Sequence, residues 1–136
     1  MNTDRNRISE FAYFLLRVVA GALMVMPGGT ILFGWLGGMP GAASPPPMFS
    51  QMWIGGVLEF FGGLAIVLGF ATRPVAFVLS GTMAVAYWQF HAPSSIWPTK
   101  NQGIPAILLC FIFLYMATLG SGCCSIDAFR RRKRAG

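Results

Sequence analysis

Residues 53–70 read WIGGVLEFFGGLAIVLGF, an apolar run with a single acid, Glu59, near its middle. The run is long enough to cross a bilayer as a helix, which takes roughly 17–25 residues for about 30 Å of hydrocarbon. Gly55 and Gly56 precede the acid, and Gly62 and Gly63 follow it. Positions three and four apart share a helix face, so these glycines are expected around Glu59. An ionisable group at membrane depth is costly and faces either the protein interior or a wet cavity. The stretch therefore predicts a membrane helix and makes Glu59 the first candidate site residue.

Three more apolar segments flank it. Spans are expected at about 11–34, 52–70, 74–90 and 103–120, in a single domain that ends in a basic tail over 127–136. The predicted fold class is an all-α membrane protein, a bundle of four transmembrane helices. Hydrophobic residues make up 55% of the chain and charged ones 10%, too few polar groups to cover four such helices in water. A signal-peptide reading of the N-terminus is set aside, because the apolar pattern runs on and further spans follow.

Local signals refine the picture. Ser9 is a candidate cap for the first helix, and Pro27 with Gly28 and Gly29 predicts a kink or an unwound turn late in it. Residues 37–51, GGMPGAASPPPMFSQ, form an uncharged loop stiffened by Pro45, Pro46 and Pro47. The short link Ala71-Thr72-Arg73-Pro74 makes spans two and three antiparallel neighbours, with Thr72 placed to cap the third helix and Pro74 in its first turn.

Charge gives the orientation. Arg5, Arg7, Arg17, Arg73 and the tail cluster Arg130, Arg131, Arg132, Lys133 and Arg134 fall on one side, against Lys100 alone on the other. By the positive-inside rule both termini are cytoplasmic, and the expected location is the inner (cytoplasmic) membrane as a multi-pass protein. Trp35, Trp53, Trp88 and Trp97 then collect at the outer boundary as an aromatic belt. The five basic residues of the tail are read as contacts to anionic lipids, and nucleic acid is not an expected partner.

The other polar candidates are few. Arg17 lies about two turns into the first span, where its side chain is expected to snorkel back to the head groups. His91, the only histidine, ends the third span and is a candidate proton shuttle with no second metal ligand near it in sequence. No metal site is expected. Cys110 reads as a small core residue, and the vicinal Cys123 and Cys124 cannot easily close an ordinary structural disulfide.

In order along the chain stand Leu16-Arg17 with Gly21, Leu32-Phe33-Gly34-Trp35, Leu58-Glu59 with Gly62-Gly63, Leu68-Gly69 and Thr72-Arg73. Gln89 and His91, Asn101 and Gly103, Gly120-Ser121-Gly122 and Ser125-Ile126-Asp127-Ala128 follow. This succession resembles the DoxX family of small four-helix membrane proteins. The resemblance implies redox work at the membrane, with Glu59 as the family's intramembrane acid and Arg17 as its span-one arginine. It also departs from the family: Pro27 and Ile31 stand where His-Gly and Lys are common, and Ile104-Pro105 stands where an acid is frequent.

The leading expectation is thus a DoxX-like accessory or scaffold subunit, packed against other membrane subunits or its own copies in a larger redox or energy-converting complex, and not an enzyme by itself. The alternative is a quinone-linked oxidoreductase subunit of the kind that oxidises thiosulfate or other sulfur compounds. There Glu59 and His91 would be catalytic, and Glu59, Arg17, Gly62 and Gly63 would line a groove for a quinone or a bound lipid. A small-solute or proton carrier comes third, because Arg17, Glu59 and His91 are too sparse for a continuous polar path.

Overall fold

The computed structural model describes residues 2–39, 41 and 44–135, with the side chains of 2–5 and 135 outside that description. The charge expected of Arg5 and the loop conformation expected at Pro40, Ala42 and Ala43 therefore lie outside the described residues. Among the described residues five α-helices appear in order: α1 (Asn2–Phe33), α2 (Gln51–Leu68), α3 (Thr72–Ala86), α4 (Ile104–Leu119) and α5 (Ile126–Ala135). No strand is present among the described residues. A short 3-10 turn, Trp35–Gly37, follows α1, and a wide π turn, Tyr87–His91, prolongs α3.

α1 and α2 pack as one hairpin and α3 and α4 as another, with α2 and α3 joining the two. Ala20, Met24, Ile66, Ala76, Leu79, Met83, Phe113 and Met116 form the buried core. The α1–α2 crossing is close because glycine faces glycine. A Cβ at Gly63 would lie 2.7 Å from the Gly21 carbonyl oxygen, and one at Gly21 would lie 2.8 Å from that of Gly63. A side chain at either position would push the helices apart.

Two helices are long and apolar enough to cross a membrane, over Asn6–Phe33 and Gln51–Leu68. Only 17% of the α2 window is buried inside the protein, so this is not the core helix of a water-soluble domain. Phe61, Leu68, Phe77, Val78, Leu108 and Phe111 are exposed along the helices, where lipid rather than water is the suitable neighbour.

Several local expectations are corrected. Ser9 does not begin α1, which starts at Asn2 and carries Ser9 within it. Pro27 does not unwind the helix either, since α1 runs through it to Phe33. The reason is packing: Gly28 sits so tightly on α2 that a Cβ there would lie 2.8 Å from the Gly56 carbonyl oxygen, which holds the turn in register. Thr72 does not cap α3. Ala71 is the cap residue, in left-handed backbone, with no side-chain cap of its own.

Candidate functional site

The ends of the molecule differ in chemistry. At one end the Tyr13–Arg17 stretch of α1 and the start of α3 meet the ends of α2 and α4 and the tail helix. Asp127 reaches across from α5 and accepts from the Ala71 backbone N–H at 3.0 Å and from that of Thr72 at 3.1 Å. A carboxylate on the exposed amides of a helix N-terminus is a stabilising cap, here supplied from another helix. The Asp127 N–H in turn donates to the Gly69 carbonyl at 3.1 Å, tying the tail to the α2–α3 turn. Ser125 caps α5 itself, accepting from the Ala128 N–H at 3.0 Å.

Arg17 joins this clasp instead of snorkelling to the head groups. It is 1% exposed and donates from Nη2 to the Cys124 carbonyl at 2.5 Å, while its guanidinium lies 5.6 Å from the Phe14 ring centroid. The fold closes the 120–125 loop over it, which removes the path to the surface. Tyr13 donates from its hydroxyl to the Gly120 carbonyl at 2.5 Å, holding the end of α4 to α1. Cys123 and Cys124 lie beside this clasp with their sulfurs 3.4 Å apart.

Glu59 sits near the middle of α2, at the inner wall of a cavity that reaches toward the opposite end. The cavity, of about 280 Å³, is lined by Glu59, Gln51, Thr82 and His91 among polar residues and by Ile31, Met52, Val85 and Phe90 among apolar ones. Glu59 and His91, from α2 and from the turn that ends α3, are thus brought to one space. Arg17 is not part of it. Of the glycines around Glu59, only Gly55 lines this cavity. Gly63 is spent on α1, and Gly62 faces Leu79 and a separate apolar groove between α2 and α3.

Polar groups are only partly satisfied at both ends: in the clasp Arg17 Nε and Nη1 and Thr72 Oγ1 are buried without a partner. Glu59 Oε2 is buried and has no hydrogen-bond partner. Burying such an oxygen without a partner costs on the order of 1–3 kcal/mol, so its retention needs either a ligand or another reason. His91 Nδ1 lies 2.9 Å from the Asn101 carbonyl oxygen. A carbonyl has no proton to give, so Nδ1–H donates and Nε2 of the neutral ring keeps its lone pair. Gln51 donates to the Gln89 side chain across the rim. The π turn that carries Gln89 and His91 is closed by the Ala92 N–H on the Tyr87 carbonyl at 2.8 Å. Such widened turns re-aim side chains at functional sites.

Sequence reasoning named Glu59 and His91 and missed Asp127 as a cap and Gln51 and Gln89 as rim residues. Asn101 was noticed only as part of a motif. Its amide orders the loop before α4, donating to the Ser95 carbonyl at 2.7 Å and accepting from the Gly103 N–H at 2.7 Å.

The DoxX family model matches residues 12–92, from the start of the apolar part of α1 through His91. That segment carries Arg17, Glu59 and His91 and covers more than half of the chain.

The chain belongs to the DoxX family.

This DoxX protein is a membrane protein with two helices of spanning length and composition. It is 32% identical over 123 residues to an uncharacterized protein of Haemophilus influenzae, covering 85% of this chain and 89% of that relative. It is 30% identical over 119 residues to the inner membrane protein YqjF of Escherichia coli, covering 82% of this chain and 91% of the relative. No solved structure matches it.

Proposed function

We propose that this DoxX protein crosses the inner membrane four times, with both termini in the cytoplasm, and serves as a subunit of a larger redox or energy-converting assembly. In that role it holds a quinone-class molecule in the Glu59 cavity and does not oxidise a substrate by itself. The observation that carries the reading is the buried, unpartnered Oε2 of Glu59 on the wall of a cavity that His91 also lines.

The residues present suit a ring-shaped head group. The cavity mixes apolar walls with a few polar groups, as small-molecule sites do. A quinone-class head group would supply carbonyl acceptors and two-electron, two-proton chemistry. Glu59 offers a proton at Oε2 to a carbonyl acceptor, and His91 offers Nε2 as a proton acceptor at the rim. Reduction of such a molecule needs electrons from outside, which is why the reading includes partner subunits.

The four-span topology is supported by several features. α4 (Ile104–Leu119) is apolar though shorter than the two qualifying helices, and the π turn extends α3 to His91. Tyr13–Gly120 and Arg17–Cys124 contacts bring the first turns of the apolar part of α1 to the end of α4, as an even number of crossings requires. The name of the Escherichia coli relative supports the inner membrane.

The test is gentle extraction into lipid nanodiscs, followed by identification of the proteins and small molecules that stay bound. Wild type is expected to carry partner subunits and a quinone, and Glu59→Leu to keep the partners and lose the quinone. Stable isolated monomers that oxidise a sulfur compound with quinone would overturn the subunit role. Equal quinone in both proteins would overturn the role of the cavity.

A further inference from the structure

The tail helix carries a chemistry separate from the Glu59 cavity. Asp127, Arg130, Arg131 and Arg134 are spaced i, i+3, i+4 and i+7, so they share one face of α5. That face lines a cleft of about 230 Å³ whose walls are these four side chains. Arg132 and Lys133, equally basic, do not line it. The cleft therefore selects three of the five consecutive basic residues in the tail.

Its one acid does not cancel the others. Both Asp127 carboxylate oxygens accept from the α3 N-terminus, so that charge is already engaged by the Ala71 and Thr72 amides. Three guanidinium groups against one carboxylate leave the cleft cationic. The arginines have few partners of their own. Arg130 lies over the Phe70 ring at 5.7 Å, and Arg131 reaches the Ser121 hydroxyl at 3.5 Å. Planar guanidinium groups clustered this way can each fork onto two oxygens of a tetrahedral phosphodiester.

Position supplies the source of the phosphate. Asp127 pins α5 to the α2–α3 turn, and Arg130 stacks on Phe70, just beyond the end of α2 (Gln51–Leu68). The cleft thus lies where a spanning helix leaves the hydrocarbon, at the level of lipid head groups. Phe129, on the side of α5 away from the cleft, is 69% exposed and available to the same interface.

We propose that Arg130, Arg131 and Arg134 form a seat for the phosphate of one anionic phospholipid of the cytoplasmic leaflet. The site rests on the reading that the tail end faces the cytoplasm, but it needs neither a quinone nor partner subunits. Its function is to fix the tail helix, and through Asp127 the start of α3, to the membrane surface.

The full-length protein in mild detergent is titrated with phosphatidylglycerol and with phosphatidylcholine, and bound lipid is counted by native mass spectrometry. Phosphatidylglycerol is expected to bind one molecule per chain well above the phosphatidylcholine background. Two variants remove equal charge: Arg130→Gln with Arg134→Gln, and Arg132→Gln with Lys133→Gln. The first pair is expected to weaken binding roughly 30-fold and the second by no more than about threefold. Equal losses from the two pairs would mean diffuse attraction and overturn the seat, as would equal binding of the two lipids. Displacement of the lipid by inorganic phosphate would assign the cleft to the free ion and overturn the lipid assignment. Melting temperature in the same detergent checks that both pairs stay folded. Because no readout involves quinone or partners, failure of the functional reading leaves this result interpretable.

Discussion

The two ends of this DoxX protein place their scarce polar residues differently, one against backbone groups and one around a cavity. At the tail end, Asp127, Arg17 and Tyr13 are directed at backbone groups: two amides of α3, the Cys124 carbonyl and the Gly120 carbonyl. Around the cavity, Glu59 leaves an oxygen unpartnered, and His91 spends one nitrogen on Asn101. The first set ties chain segments together, although Arg17 Nε and Nη1 and Thr72 Oγ1 are also buried there without a partner. The Glu59 oxygen differs in lining a cavity that His91 also lines, which leaves chemistry available. Retaining an unsatisfied acid in an apolar helix is expected where function requires it.

That contrast can be broken by stability measurements, because the two ends should respond with different size and sign. Asp127→Ala orphans two amides at the start of α3 and is expected to lower the unfolding free energy by about 2 kcal/mol in detergent micelles. Glu59→Leu, which removes an unsatisfied oxygen, is expected to leave stability unchanged or slightly raised. A large loss for Glu59→Leu with none for Asp127→Ala would invert the account. Tyr13→Phe removes one hydrogen bond from the clasp and should cost about 1 kcal/mol in the same assay. Gln89→Leu breaks the exposed pair with Gln51 and should cost under about 0.5 kcal/mol.

The smallest effect concerns the thiols beside the clasp. The hydrogen bond with Cys124 is the main cause that pushes the Cys123 thiol up, followed by burial and a hydrogen bond with Glu10. A raised thiol holds less thiolate at neutral pH, and the thiolate is what alkylates. Cys124→Ala should therefore bring Cys123 down and speed its labelling by iodoacetamide at pH 7, by roughly two- to threefold. Unchanged labelling would show that Cys124 does not restrain it.

The helices and the acid were legible because composition and run length are local properties of the chain. Glu59 stands out as the one acid in its apolar segment, and the short link at 71–74 correctly places α2 beside α3. The clasp was not legible, since its partners are distant in sequence. Arg17 and Cys124 are 107 residues apart, and Asp127 and Ala71 are 56 apart. Neither pair leaves a pattern within a window, so Arg17 read as a snorkelling residue and Thr72 as a cap. The glycines were misread for a related reason. Their spacing puts them near Glu59 on the helix, but only packing against Gly21 and Leu79 decides what each one faces.

The central claim is that Glu59 is kept for a ligand and not for the fold. It is tested most directly by equilibrium binding of a soluble short-chain quinone to wild type and Glu59→Leu in the same nanodiscs, with stability measured in parallel. The account predicts binding at least about tenfold weaker in the variant, the loss of one good hydrogen bond to a buried group, at undiminished stability. Equal affinity in the two proteins would contradict it.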